Sequence, residues 1–424
     1  MSIFKKSIMG FLGGAALALS TTLAQAQQTE ILVWSDTPRL PIFAAYDEAH
    51  PNVKLTTLTV SDDELVTKLQ LAMRAKSGVP DVIFMAAAAQ PATLSTRRSN
   101  YLMDLSKDVS KEVFDGFFNN ANSMCSINGK VYCLRSDVAH LMLWYDKALV
   151  EELGVSVPET WEEFEKLGAK LSALDKGYVM GTGVQPELVM AFLYGSGCDL
   201  AVPVQGKENT LKLDLSTDAC IRAAKMVDNM NANGSLSKHA AFEPGLVKEA
   251  KENKLVMMIG PTWFGEFVMK PSYGIKPGRL AVAAPPRWAN EEKPLTWSWG
   301  GGNYGGWKDT KHPEIVRDML IWTATEEKHL EKAVTMPADS SAAVVWGARV
   351  NADPYYATKD VFDQMLSAAD YSHPGYASLR FDIRTAYAKQ VGAQLAEGQK
   401  LVDRLPAFAE EVANMAKIAG YEVE

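Results

Sequence analysis

Short apolar runs alternate with amphipathic stretches along this chain, and that alternation constrains the fold more than any other feature. Residues 30–34 (EILVW) form an apolar run that stops at SDTP, as a buried strand entering a loop does. A helix is expected over 41–50, a strand over 53–60, a helix over 62–76 with Leu65, Leu69 and Ala72 on one face, and a strand over 81–85. This order makes βαβ units with a parallel sheet and right-handed crossovers, an α/β fold. Later runs, 141–145 (LMLWY) and 254–259 (KLVMMI), read as strands buried on both faces. Thr160 and Glu163 make a capping box at the start of another helix. Residues 297–307 (WSWGGGNYGGW) are too rich in glycine for the interior of a regular element, and the rest is mostly helical, over 313–325 and within 377–418.

A chain of 424 residues exceeds what one core usually supports, so two domains are expected. Lys5 and Lys6 precede an apolar stretch over 8–23 that ends in Ala24, Gln25 and Ala26, the pattern of a signal peptide over 1–26. A retained membrane span is the weaker reading, and no Cys stands at the cleavage site to carry a lipid anchor. The expected product is a soluble periplasmic protein beginning at Gln27. Its net charge, −8 with the leader included, disfavours nucleic acid and anionic membranes as partners.

Cys125, Cys133, Cys198 and Cys220 are an even number in a chain bound for an oxidising compartment, so two disulfides are expected and three pairings are formally possible. The favoured one joins Cys125 to Cys133 across CSINGKVYC, a hairpin centred on Gly129 whose symmetric pairing demands a three-residue loop or a bulge. Cys198 and Cys220 are then left for each other. Neither spacing suits a metal and no His clusters nearby, so no metal or cofactor is expected.

Several segments share an order with a known family: VPDVIF at 79–84, NGKVY at 128–132, LWYDK at 143–147, LGV at 153–155 before PETW at 158–161, MIGPTW at 258–263, and KHPE at 311–314. Over essentially its whole mature length the chain resembles the carbohydrate-binding branch of family 1 of the bacterial extracellular solute-binding proteins, the group that includes maltose-binding protein. The resemblance implies a two-lobe periplasmic-binding-protein fold of type II-like form, hinged on crossover segments near 137–141, 297–301 and 340–350. One lobe would take 27–138 with 300–345, the other 139–299 with 346–424. It also implies a monomer that captures a carbohydrate in the interlobe cleft and delivers it to the permease subunits of an ABC importer, with no enzymatic activity.

A sugar presents apolar ring faces and a belt of hydroxyls, so its site needs aromatic platforms and paired donors and acceptors. Trp263 follows a strand end where the resemblance places a cleft residue, though an ordinary core Trp reads the same way. Of Trp297 and Trp299, one is expected to pack and the other, taken as Trp299, to face ligand. Gly301, Gly302 and Asn303 match a segment whose backbone approaches ligand, or form a plain turn. Asp36, Arg39 and Gln90 lie just past strands, as ligand contacts or helix caps. By resemblance Asp137 and His140 fall in the first crossover and Gln185 and Glu187 in a cleft loop. Arg380 stands where maltose binders place a stacking Trp, to stack on sugar, to pair with an acidic group on it, or to make a surface ion pair. Residues 86–89 (AAAA) replace bulkier polar residues, which argues against maltose itself.

The rival readings are a secreted glycoside hydrolase and a binding protein for a polyol phosphate, a polyamine or a metal chelate. The chain has no GxSxG elbow, HExxH or phosphate loop, although two carboxylates distant in sequence suffice for a glycosidase. Arg39 and Arg380 in the candidate set tilt against a cationic ligand.

Overall fold

A computed structural model describes residues 28–424 apart from 119, 120, 370, 372, 374, 376 and 377, so the leader expected over 1–26 lies outside the described residues. The chain opens with β1 (Thr29–Ser35), β2 (Val53–Thr59) and β3 (Val82–Met85). A small hairpin of β4 (Ser126–Ile127) and β5 (Lys130–Val131) leads to β6 (Leu134–Arg135). Next come β7 (Leu141–Asp146), β8 (Asp199–Pro203), β9 (Thr210–Asp214), β10 (Met257–Pro261) and β11 (Leu280–Ala283). The last strands are β12 (Asn303–Gly306) and the terminal β13 (Glu422–Val423).

Two central sheets organise the molecule. One has the order β2-β1-β3-β12-β6, with β1 parallel to β2 and β3 as the alternating pattern requires. Ile31, Val33, Val82 and Phe84 of this sheet are buried. The other is β10-β7-β11, and here both neighbours run antiparallel to β7. The parallel arrangement therefore stops short of the second lobe, although β7 is as deeply buried as its unbroken apolar run implied. A third sheet, β13-β9-β8, ties the C-terminus to the second lobe.

The glycine-rich run 297–307 corrects an expectation, because β12 lies inside it and inside the first sheet, antiparallel to β3 and β6. Its glycines answer to packing. A Cβ on Gly306 would meet Val316 of the helix Pro313–Thr325 at 2.6 Å, so only glycine lets that helix lie against the strand. Close approach outweighs the low strand propensity of Gly.

The cysteine hairpin also differs in detail. Ser126 pairs with Val131 and Ile127 with Lys130, which leaves a two-residue turn of Asn128 and Gly129, both at positive φ, the pattern favoured by Asn-Gly. The turn centre therefore lies between those residues and not on Gly129, and no three-residue loop or bulge is present. Cys125 is bonded to Cys133 and Cys198 to Cys220. The capping box at Thr160 and Glu163 is formed, opening the helix Trp161–Ser172.

The chain crosses between the sheets after β6, between β11 and β12, and along the helix Ser340–Ala352. The first two crossings run side by side, bridged between His140 and Ser298.

A cleft with one ionic and one aromatic wall

Where the carboxyl ends of β1 and β3 face the other sheet, a cavity of about 390 Å³ opens between them. Open α/β folds favour ligand sites at such strand ends. On the first-lobe side, β1 runs out into Asp36, which caps the turn Thr37–Arg39 and thereby aims Arg39 back at the cavity. Arg39 donates from Nη1 to Asp36 at 3.0 Å and from Nη2 to Asp137 at 2.8 Å, with its guanidinium 4.5 Å from the centroid of the Phe84 ring. Asp137 Oδ1 also accepts the backbone N–H of Gly302 at 2.9 Å. Burial would raise the Asp137 carboxyl, but Arg39, Arg135 and the Gly302 N–H outweigh it and hold the group below the ordinary carboxylate value. At Asp36 burial wins over Arg39, and the carboxyl is raised.

Arg135 lies beneath this wall, fully buried, and burial lowers its guanidinium to about 10. It donates to Asn303 Oδ1 at 3.1 Å and to the Gly300 carbonyl at 3.2 Å. Gly301, at φ 79°, has no room for a Cβ beside Arg135, so the cleft backbone is seated directly on this cation.

The facing wall is aromatic. Trp263, two residues beyond β10, donates from its indole N–H to the Trp299 carbonyl at 2.9 Å, and the two rings meet at 5.4 Å and 68°. Phe242 lies parallel to Trp263 within 2°, and Phe267 meets it edge-on. Phe242 and Phe267 are 54% and 45% exposed, unusual for such large apolar groups. Deeper in, Tyr194 stacks on Trp297 at 5.0 Å. A second ionic group closes this side: Arg384 pairs with Asp382 at 2.6 Å and Glu187 at 3.5 Å.

Among the residues singled out from sequence, Asp36, Arg39, Asp137, Glu187, Trp263, Trp299, Gly301 and Gly302 line the cavity. The other five do not. Gln90 is buried, accepting from the Ala87 N–H and donating to the Asp62 carbonyl, so it braces the Ala86–Ala89 segment from behind. His140 donates to the Met365 carbonyl at 2.6 Å inside the hinge, where burial lowers it to about 4. Gln185 bonds Glu187 and the Ala241 N–H, and Asn303 bonds Arg135. Arg380 lies over the Tyr421 ring at 3.9 Å and donates to the Gly420 carbonyl, away from the cavity; Arg384, four residues on, is the cavity arginine. Sequence reasoning passed over Phe242, Phe267, Tyr194, Asp62, Asp382 and Arg384. Only Asp382 and Arg384 had a local signal, since both lie within four residues of Arg380 in the run LRFDIR at 379–384.

The bacterial extracellular solute-binding protein family matches residues 35–329, most of the chain. The chain belongs to that family. This solute-binding protein is 23% identical over 328 residues to the arabinooligosaccharide-binding protein of Halalkalibacterium halodurans, covering 73% of this chain and 70% of that one. It is 21% identical over 345 residues to the protein of the same name from Bacillus subtilis, covering 75% and 74%. Its fold superposes with a TM-score of 0.77, at 19% identity, on the galacto-N-biose/lacto-N-biose I-binding protein of the ABC transporter from Bifidobacterium longum, covering 94% of this chain and 99% of that chain. Among the described residues no helix of this solute-binding protein is long and apolar enough to cross a membrane, and no group of His, Cys, Asp or Glu is placed to hold a metal ion.

Proposed function

We propose that this solute-binding protein captures an oligosaccharide in the cleft and hands it to the permease subunits of an ABC importer. The carrying observation is the pairing of an aromatic wall, Trp263, Trp299 and Phe242, with an ionic wall of Asp36, Arg39 and Asp137 across one cavity. Rings of that kind cover the apolar faces of a pyranose or furanose while carboxylates and guanidinium groups take its hydroxyls. Two arabinooligosaccharide binders among the relatives support the same ligand class. Capture then follows from hinge bending at the crossings, the ligand favouring whichever closed state lets both walls touch it. The lobe division given above, 27–138 with 300–345 against 139–299 with 346–424, is part of this reading.

Binding without turnover is the expected outcome, with the protein acting as a monomer in the periplasm or outside the cell. A thermal-shift screen of the mature protein against arabinose, xylose, galactose and glucose oligosaccharides tests it, because a ligand that binds only the folded state raises the melting temperature by mass action. Silence from every sugar, beside a clear response to polyamines or iron chelates, rejects the proposal. Release of shorter sugars from a bound oligosaccharide would move the protein to the hydrolases.

A further inference from the structure

Among the described residues, seven charged side chains line the cavity, and they are unequally divided. Arg39 and Arg384 are the cations, and each is already shared between two carboxylates: Arg39 between Asp36 and Asp137, Arg384 between Asp382 and Glu187. On the first wall Arg135, buried beneath, joins Arg39 in balancing Asp36 and Asp137, whereas Arg384 alone faces Asp382, Glu187 and Asp62 and is outnumbered by them. Asp62, in the first turn of the helix Asp62–Ala75, adds a further carboxylate to the cavity lining, and that carboxylate has no hydrogen bond or ion pair among the described residues. Asp137 also lines the cavity though only 1% exposed, and its buried Oδ2 has no hydrogen-bond partner among the described residues. A buried carboxylate oxygen left this way calls for a donor.

Taking the sugar-binding reading above as its basis, we infer that the cleft selects against negatively charged sugars, with Asp62 and Asp137 as the residues that set the preference. A hydroxyl can donate to either carboxylate and brings no charge with it. A uronic acid or a phosphorylated sugar brings acceptors and negative charge to a surface whose guanidinium forks are already occupied. Like charges a few ångströms apart in a partly desolvated site repel by enough to change affinity tenfold or more, roughly. The earlier objection to a positively charged ligand weakens for the same reason, since Arg380 lies outside the cavity and Arg39 is doubly neutralised.

The test is a tryptophan-fluorescence or calorimetric titration of the mature protein with galactobiose, maltose and cellobiose, each beside its diuronic acid, and with arabinobiose and xylobiose as further neutral probes. The inference expects the diuronic acid of any hexose disaccharide that binds to be at least about tenfold weaker, a gap that narrows in high salt. It also expects Asp62→Asn to narrow the gap, read as the ratio of acidic to neutral affinity within the variant, by at least about threefold at low salt with the melting temperature nearly unchanged. Equal or tighter binding of a diuronic acid overturns the inference and leaves the sugar-binding reading standing. A gap untouched by Asp62→Asn removes Asp62 from the assignment. Silence from every neutral and acidic probe rejects the sugar-binding reading itself.

Discussion

Across one cavity, the wall built at the ends of β1 and β3 presents polar groups that are already bonded to each other, whereas the wall beyond β10 presents ring faces left open to solvent. Arg39, Asp36, Asp137 and the Gly302 N–H hold one another in place, with Arg135 buried beneath. Phe242 and Phe267 are about half exposed, and the indole N–H of Trp263 is turned away into the Trp299 carbonyl. The contrast teaches a division of labour. An ionic wall must be bonded internally, since unpaired buried charge is expensive, so its integrity is tied to folding. An aromatic wall can stay bare at little cost to stability, so its contribution should appear in affinity.

Breaking the ionic wall should therefore have the largest effect, and on stability. Asp137→Ala removes the carboxylate that serves Arg39, faces Arg135 and accepts from Gly302. Loss of one partner of a buried pair costs about 3–5 kcal/mol. Urea unfolding of the variant should show that loss, with Asp137→Asn intermediate because it keeps the acceptor for Gly302 while losing the charge. A destabilisation below about 1 kcal/mol for Asp137→Ala would mean that the wall is not held by this network.

Acid should separate the walls in a second way. His140, whose carbonyl accepts the Thr262 N–H beside Trp263, and His373, 5.2 Å from the Tyr194 ring, are both lowered to about 4 by burial. In the unfolded chain an imidazole binds its proton near 6.5, so between that pH and about 4 the unfolded state holds more protons and stability rises with pH. The stabilisation is complete above about 6.5 and is lost as the pH falls towards 4. Summed over that range, each imidazole changes the stability by on the order of 3 kcal/mol. His140→Gln should flatten the stability profile between pH 6.5 and 4; an unchanged slope would show that His140 does not carry it.

On the aromatic wall the comparison moves to affinity. Trp263→Ala should weaken sugar capture by roughly 30- to 100-fold, the equivalent of about 2–3 kcal/mol of lost apolar contact. Calorimetry gives the affinity, and circular dichroism should show the fold intact, because Trp263 is only partly buried. Unfolding instead would return Trp263 to the role of an ordinary core residue.

How much of this was legible in the sequence follows the range of the interactions. The capping box at Thr160 and the helix Pro313–Thr325 rest on residues a few positions apart, and pattern alone found them; the parallel sheet around β1 joins distant residues but followed from the regular alternation of strand and helix. β12 was hidden because its glycines answer to a helix and a strand that lie elsewhere in the chain. Arg380 and Arg384 differ by about one helical turn, and which of them meets the cavity is decided by Tyr421 and Glu187, the latter nearly two hundred residues away. Asp36, Arg39 and Asp137 were found because each stands at a strand end or in a crossing, whereas Phe242 and Phe267 carry no such punctuation.

The smallest effect sharpens the comparison most, because Phe242 should act on affinity alone. Its ring is 54% exposed, so little apolar area leaves water when the protein folds, and Phe242→Ala should lower stability by less than about 0.5 kcal/mol. A sugar resting on Trp263 would cover the neighbouring Phe242 face, which has the same orientation, and losing that contact should weaken binding by about 5-fold, close to 1 kcal/mol. If the aromatic wall extends to its rim, the loss grows from a disaccharide to a trisaccharide, since only the longer ligand reaches both rings. An identical affinity of variant and parent for both lengths would confine the wall to Trp263 and Trp299 and leave Phe242 as exposed apolar surface without a role in capture.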